Sequence, residues 1–345
     1  MNSMLISLLP KVYMPNQVYI GNNSLKYLST LKPEEMAVVV SQSFFASNEE
    51  LFYKLFGKEV FYITHTGEPT KDAVDSVKSK LSKKNYSYLV GVGGGSVIDV
   101  TKIIKKDLGK KMIAVPTTIG SGSEVSQHVV LLEDSKKKPY SSSDFIPEVV
   151  LLSPSFVQTL PSSSFNEEII DALAHGLESL VSRAANPMTD EFALHALDEM
   201  FNLLSEEREK DNSYFERLQI ASFFAGIAQS SASTGLAHGF AHYIGAKSHI
   251  PHAQAVATYL LDSVRLNLAH TDKYDKLNKL KGVSSKDLLI KLEKIFANLA
   301  IKPKKYDLKD TLEEVAEGVK KDICTITNPY QPSVEELTEI LRKHQ

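Results

Sequence analysis

A single cysteine, Cys324, occurs in the 345 residues, so no disulfide can form within the chain and a reducing compartment is expected. No apolar run approaches the roughly 18 residues of a membrane-spanning helix. Unbalanced charge is also missing. Lys and Arg number 39 against 42 Asp and Glu, and the net −3 gives no electrostatic footing for nucleic acid or a membrane surface. The opening stretch MNSMLISLLPKVYMP has no basic start, and Pro10 cuts its apolar part short, so it does not read as a signal peptide. Repeats and low-complexity tracts are absent. What is present is ordinary for a globular chain, 43% hydrophobic and 23% charged residues, with enough length for two domains. A cytoplasmic enzyme or binding protein is expected.

The organisation changes near residue 155. Before it, MAVVVS (36–41), EVFYIT (59–64), YSYLVGV (86–92), KMIAVPT (111–117) and EVVLLS (148–153) read as strands. Between them, DAVDSVKSKLSKK and SVIDVTKIIKK carry apolar residues at helical spacing. Such alternation predicts a parallel sheet flanked by helices. After residue 160 the strand signal vanishes and amphipathic helical patterns take over. The Pro- and Ser-rich stretch LSPSFVQTLPSSSF resembles a linker. The expected division is an α/β domain over 1–157 and an all-helical domain over 158–345.

Two loops carry a phosphate signature. In YLVGVGGGSVIDVTK, an apolar strand runs into Gly94, Gly95 and Ser96 and then into a helix. Glycines admit a close ligand, and the unpaired N–H groups of a helix start suit a pyrophosphate. This is not the GxGxxG fingerprint, and a plain tight turn would look the same. The second loop, AVPTTIGSGSEVS, places Thr117, Thr118 and Ser121 after the next strand. Open α/β sheets bind ligands at the ends of neighbouring strands.

Two helical segments concentrate the histidines. In DALAHGLES, Asp171 and His175 stand at i and i+4 on one face, and GLAHGFAHYIGAKSHIPHAQA repeats the spacing with His238 and His242, followed by His252. A carboxylate with imidazoles suits a divalent transition metal, whereas hydrogen-bonded helical histidines are the plainer alternative. Glu178, one turn beyond His175, is placed either to support such a ligand or to cap a polar stripe. Lys136, Lys137 and Lys138 read as a wet loop or as contacts to an anionic ligand. His249 reads as a loop histidine.

Taken together, these motifs resemble the iron-containing alcohol dehydrogenase family, which is related to glycerol dehydrogenase and dehydroquinate synthase. The similarity runs from LPKVYMPNQVYIGNNSLKYL through GGGSVIDVTK, PTTIGSGSEVS and DALAHGLES to GLAHGFAHYIGA and PHAQAVA, in family order. It implies a Rossmann-like N-terminal domain and a helical C-terminal domain with the active site in the cleft between them, and a homodimer. By motif, Asp171, His175, His238 and His252 match the metal ligands, with Fe²⁺ the first expectation and Zn²⁺ the second. His242 matches a catalytic histidine near substrate and nicotinamide. Gly94, Gly95, Ser96, Asp99, Thr117, Thr118 and Ser121 match the loops that hold NAD or NADP. The implied reaction passes hydride between nicotinamide C4 and a small alcohol or carbonyl substrate whose oxygen the metal polarises.

Two features depart from many relatives. Between VIDVTK and PTT lie only the residues IIKKDLGKKMIAV, as in glycerol- and glycerol-phosphate-type dehydrogenases, so a polyol substrate is the alternative. Gln42 stands at the end of the strand where NAD-preferring relatives often carry aspartate, so NADP is admissible. A dehydroquinate-synthase-like lyase is the more distant alternative, and Asp171 argues against it because that family usually places glutamate there.

Overall fold

The computed structural model describes residues 10–345 except 134, 135, 207, 249, 307 and 309. His249 therefore lies outside the described residues. Up to residue 152 the chain forms β1 (Gln17–Ile20), β2 (Met36–Ser41), α1 (Gln42–Ser47), α2 (Glu49–Phe56), β3 (Phe61–His65), α3 (Lys71–Leu81), β4 (Tyr88–Gly93), α4 (Gly95–Leu108), β5 (Lys111–Pro116), β6 (His128–Glu133), β7 (Lys136–Ser141) and β8 (Val149–Leu152). Six of these strands make one sheet in the order β1-β8-β5-β4-β2-β3. Every neighbouring pair in it is parallel.

The central strands read as unbroken apolar runs because both their faces are covered. In β2, Val38 and Val40 pack with Phe52 and Phe56 of α2. Ala37 and Val39 point the other way, toward Val74 and Leu81 of α3 and Val97, Val100 and Ile104 of α4. From β2 the chain steps outward to β3, then returns to lay β4 on the opposite side of β2. This reversal opens a crevice at the C-terminal ends of β2 and β4, the place where open parallel sheets take ligands.

The five expected strands all form, with ends shifted by at most two residues. Three features were not expected: the edge strand β1, the helical pair α1 and α2, and the antiparallel hairpin β6–β7. The lysine-rich segment thus belongs to a strand rather than a wet loop. Lys137 pairs with Glu68 at 2.5 Å, and Leu132 N–H donates to the Pro69 carbonyl at 2.8 Å, so the hairpin leans on the segment after β3.

The Pro- and Ser-rich boundary is packed rather than slack. It holds the short helix α5 (Pro154–Val157), whose Phe156 is buried edge-on against Phe44 at 4.7 Å. Beyond it come α6 (Ser162–Val181), α7 (Pro187–Leu204), α8 (Asn212–Ala232), α9 (Leu236–Ser248), α10 (His252–His270), α11 (Leu288–Asn298), α12 (Leu312–Lys321), α13 (Ile323–Thr327) and α14 (Val334–Lys343). Helix α6 is buried at every position from Ile169 to Val181, packed among α7, α8 and α10. A helix enclosed all round is a core element, so its buried Asp171, His175 and Glu178 need polar partners. Among the described residues, no helix is long and apolar enough to cross a membrane.

Candidate active site

Three helices converge on one carboxylate oxygen. Asp171 Oδ1 of α6 lies 3.3 Å from His238 Nε2 of α9, 3.9 Å from His252 Nε2 at the start of α10, and 4.0 Å from His175 Nε2. Two donors each about 2.05 Å from a tetrahedral centre stand about 3.3 Å apart, so the Asp171–His238 spacing equals such an edge and the other two are somewhat wider. Asp171, His238 and His252 form one tight donor group, while His175 reaches Asp171 from just outside it. Among the described residues, the buried atoms Asp171 Oδ1, His238 Nε2 and His175 Nδ1 have no hydrogen-bond partner. Orphaned polar atoms of this kind are rare, and a cation at their meeting point would satisfy the first two.

Glu178 holds His238 from behind. Its carboxylate accepts from His238 Nδ1 at 2.6 Å and from the backbone N–H groups of Gly235 at 2.9 Å and Ala237 at 2.7 Å. With Nδ1 engaged, the Nε2 edge of His238 faces Asp171, and a cation there would take the place of the proton that the two carboxylates otherwise hold on the ring. Burial would raise the Asp171 pKa, but His175, His252 and His238 outweigh it and hold the carboxylate well below its usual range. Burial pushes His175 down to about 4 against the pull of Asp171, and pushes His252 well below its ordinary value. Both rings are neutral at pH 7, the form that donates to a cation. Burial opposes protonation of His238 as well, yet Glu178 and Asp171 raise it to about 10.

The two phosphate-type loops interlock at the crevice. Helix α4 begins at Gly95, and its N-cap Gly94 offers no side chain to the first turn, so N–H groups there are left for an anion. A Cβ on Gly94 would lie 3.0 Å from Thr118 Cγ2, and one on Gly95 would lie 2.9 Å from Ser121 Cβ. The glycines thus make room for the second loop as well as for a ligand. Gly94, Gly95, Ser96, Thr118 and Ser121 are half-buried at the rim, whereas Thr117 is buried and donates its N–H to the Gly93 carbonyl at 3.0 Å. Gly122, at φ 59°, lets the loop turn against Gly226 of α8. Gly120 N–H donates to Glu168 Oε2 at 2.7 Å. Glu168 sits one turn before Asp171 on α6, so the loop is tied to the helix that carries the carboxylate.

Asp99, expected beside a cofactor, turns inward instead. One of its oxygens accepts from the Ser123 hydroxyl, and the other accepts from Val130 N–H at 2.9 Å. Lys102, fully buried, donates to Ser123 O at 2.8 Å, to Ser126 Oγ at 3.2 Å and to His128 O at 2.5 Å. These two side chains fasten the second loop and the hairpin to α4. Gln42 is exposed at the first position of α1, directly after β2.

His242 stands beside the histidine cluster without joining it. Its ring lies nearly parallel to that of His252, with centroids 5.6 Å apart. Its Nδ1 is 3.2 and 3.4 Å from the two carboxylate oxygens of Asp322, and 3.8 Å from Cys324 Sγ. Asp322 and Cys324 escaped sequence reasoning because nothing local marks them. Asp322 reads as a helix cap, a role it also fills by accepting from Cys324 N–H at 2.8 Å.

Comparison with known proteins gives the family. Residues 15–154 match the family described as iron-containing alcohol dehydrogenase, and residues 167–345 match the C-terminal part of the same family. The NADPH-dependent butanol dehydrogenase of Clostridium saccharobutylicum is 26% identical over 95% of this chain and 96% of its own length. Lactaldehyde reductase of Escherichia coli (strain K12) is 25% identical over 79% of this chain and 80% of its own. The crystal structure of an iron-containing alcohol dehydrogenase from Thermococcus thioreducens superposes with a TM-score of 0.85 at 27% identity, covering 97% of this chain and 99% of that one.

Proposed function

The chain belongs to the iron-containing alcohol dehydrogenase family, and from that premise we propose that it works chiefly as an NADPH-accepting reductase of small aldehydes and ketones. It is a metal-dependent alcohol dehydrogenase, an oxidoreductase that uses NAD(P). The observation that carries the site assignment is the pair of buried, unpartnered atoms, Asp171 Oδ1 and His238 Nε2, facing each other at 3.3 Å with His252 and His175 around them. One carboxylate and three imidazoles accept Fe²⁺ or Zn²⁺, and the family favours iron.

When bound, the cation would act as a Lewis acid on the substrate oxygen, and the nicotinamide would exchange hydride with the carbon that bears it. The chain's own residues divide the remaining work. Asp171, His175, His238 and His252 hold the cation, and Glu178 fixes the ring of His238. The N–H groups at Gly95 and Ser96 take the pyrophosphate, while Thr118 and Ser121 face the nucleotide. Thr117 and Asp99 act as scaffold for these loops. His242 moves the substrate proton between the cleft and solvent; burial opposes its protonation, but Cys324 and Asp322 outweigh it and hold its pKa well above the ordinary imidazole value, so it serves as the proton donor in the reductive direction. The α/β domain over 1–157 and the helical domain over 158–345 supply the two walls of the cleft. A homodimer in the cytoplasm completes the reading, supported by the family resemblance and by the lone cysteine.

The butanol dehydrogenase and lactaldehyde reductase among the relatives support short, small substrates. The test is a panel of alcohols, polyols, aldehydes and ketones with each cofactor and with Fe²⁺ or Zn²⁺ added, followed at the nicotinamide absorbance. A preference for glycerol or its phosphate would move the enzyme to the polyol alternative. Turnover without net change in nicotinamide would instead indicate lyase chemistry.

Cofactor choice gives one prediction. Gln42, exposed after β2, puts no carboxylate near the adenosine ribose. Gln42→Asp should shift the ratio of kcat/KM values toward NADH by about 1 kcal/mol, roughly fivefold, because the new charge is screened by solvent. A wild type that rejects NADPH, or a ratio that does not move, would mean that another residue reads the ribose.

A second prediction concerns Glu178. Glu178→Gln removes the charge behind His238 and should weaken metal affinity by about 10- to 100-fold, measured by competition with a chelator. Unchanged affinity would reduce Glu178 to a cap for the Gly235 and Ala237 N–H groups.

A further inference from the structure

A second group of donors lies next to the first and contains sulfur. His242 Nδ1, an Asp322 carboxylate oxygen and Cys324 Sγ all fall within 4.8 Å of one another. They come from two elements, α9 and the start of α13, where Asp322 is the N-cap and Cys324 lies in the first turn. With bonds of about 2.05 Å to nitrogen or oxygen and about 2.3 Å to sulfur, a tetrahedral centre sets N···O edges of about 3.3 Å and N···S edges of about 3.6 Å. The structure has 3.2 and 3.4 Å for His242 to Asp322, and 3.8 Å for His242 to Cys324. A charge-assisted N–H···O bond would be shorter, about 2.7–2.9 Å. Cys324 is buried, and the side chains of His242 and Asp322 are about one-fifth exposed, at 21% and 18%, so a water can reach the fourth position.

We propose that His242, Asp322 and Cys324 form a second divalent-cation site, selective for zinc and inhibitory when filled. The sulfur donor separates it from the all-N,O set at Asp171, since thiolate favours zinc over iron. Binding releases the Cys324 thiol proton and any proton on His242 Nδ1 to solvent. It fixes the ring 5.6 Å from His252 and removes His242 from proton transfer. The inhibitory half rests on the role given to His242 above; the site itself does not.

The test exploits the single cysteine. Co²⁺ added to the enzyme should produce intense near-ultraviolet thiolate-to-cobalt absorption, which the first site cannot generate. In Cys324→Ser that absorption should vanish, turnover should persist, and the concentration of excess Zn²⁺ needed for half inhibition should rise about tenfold or more. Saturating Co²⁺ without thiolate absorption would overturn the site. Thiolate absorption with equal zinc inhibition in wild type and Cys324→Ser would overturn the inhibitory half. Should the Asp171 site fail to hold metal, the absorption would still report on Cys324, so the two readings fail separately.

Discussion

Asp171→Ala should yield a folded protein that holds little metal and turns over about 10³-fold more slowly. Its Oδ1 is the common neighbour of three imidazoles, at 3.3, 3.9 and 4.0 Å. It is also the one carboxylate in that donor group, so its loss leaves three imidazoles to hold a dication without charge compensation. Lewis-acid assistance supplies several kcal/mol, and about 4 kcal/mol corresponds to about 10³ in rate. The fold should survive, because Ile169, Ile170, Leu173 and Leu177 still anchor α6 in the core. Elemental analysis and NAD(P)H-linked turnover on one sample, with circular dichroism as the control, decide the matter. Full metal occupancy with near-normal turnover in this variant would remove Asp171 from the metal site.

Gly95→Val should abolish measurable nucleotide binding while metal content stays near that of the wild type. A Cβ at this position would lie 2.9 Å from Ser121 Cβ and 3.0 Å from Ser121 Oγ, so a branched side chain must push the second loop away from α4. The same displacement misaligns the N–H groups of the first turn. Losing two charge-assisted hydrogen bonds at about 1.5 kcal/mol each costs about 10²-fold in affinity. Titration of NAD(P)H fluorescence reads the effect directly. Wild-type affinity in the variant would show that the pyrophosphate lies elsewhere. The structure changes the reason for this expectation, since the crowding falls first on Ser121 and only then on a phosphate.

The parts legible in the sequence are those whose physics is local. Strands β2, β4, β5 and β8 announce themselves because burial on both faces demands apolar residues at nearly every position. The Asp171–His175 and His238–His242 pairs are legible because helical spacing alone puts each pair on one face. The β6–β7 hairpin was hidden because β7 pairs with β6 alone, carries Pro139 and opens on lysines, so it has no apolar face to display. The inward turn of Asp99 was hidden because its partners, Ser123 and Val130, belong to segments that only the fold brings near. Asp322 lies 80 residues from His242, and no periodicity spans that distance. Glu178 falls between these cases: its position one turn beyond His175 is visible, but its grip on His238 depends on how α9 packs.

All four residues proposed to hold the cation come from α6, α9 and α10, and none from the sheet. The loops proposed to hold the nucleotide come from the other wall and meet the helices where Gly120 contacts Glu168 of α6 and where Ile119, Gly122 and Gln127 contact Ser222, Gly226 and Ser230 of α8. A dinucleotide must enter and leave this cleft in every catalytic cycle. Widening the gap strains these contacts and would leave every coordination bond intact. The ion can therefore outlast many exchanges of cofactor, and a protein stripped of nucleotide during purification should still carry its iron.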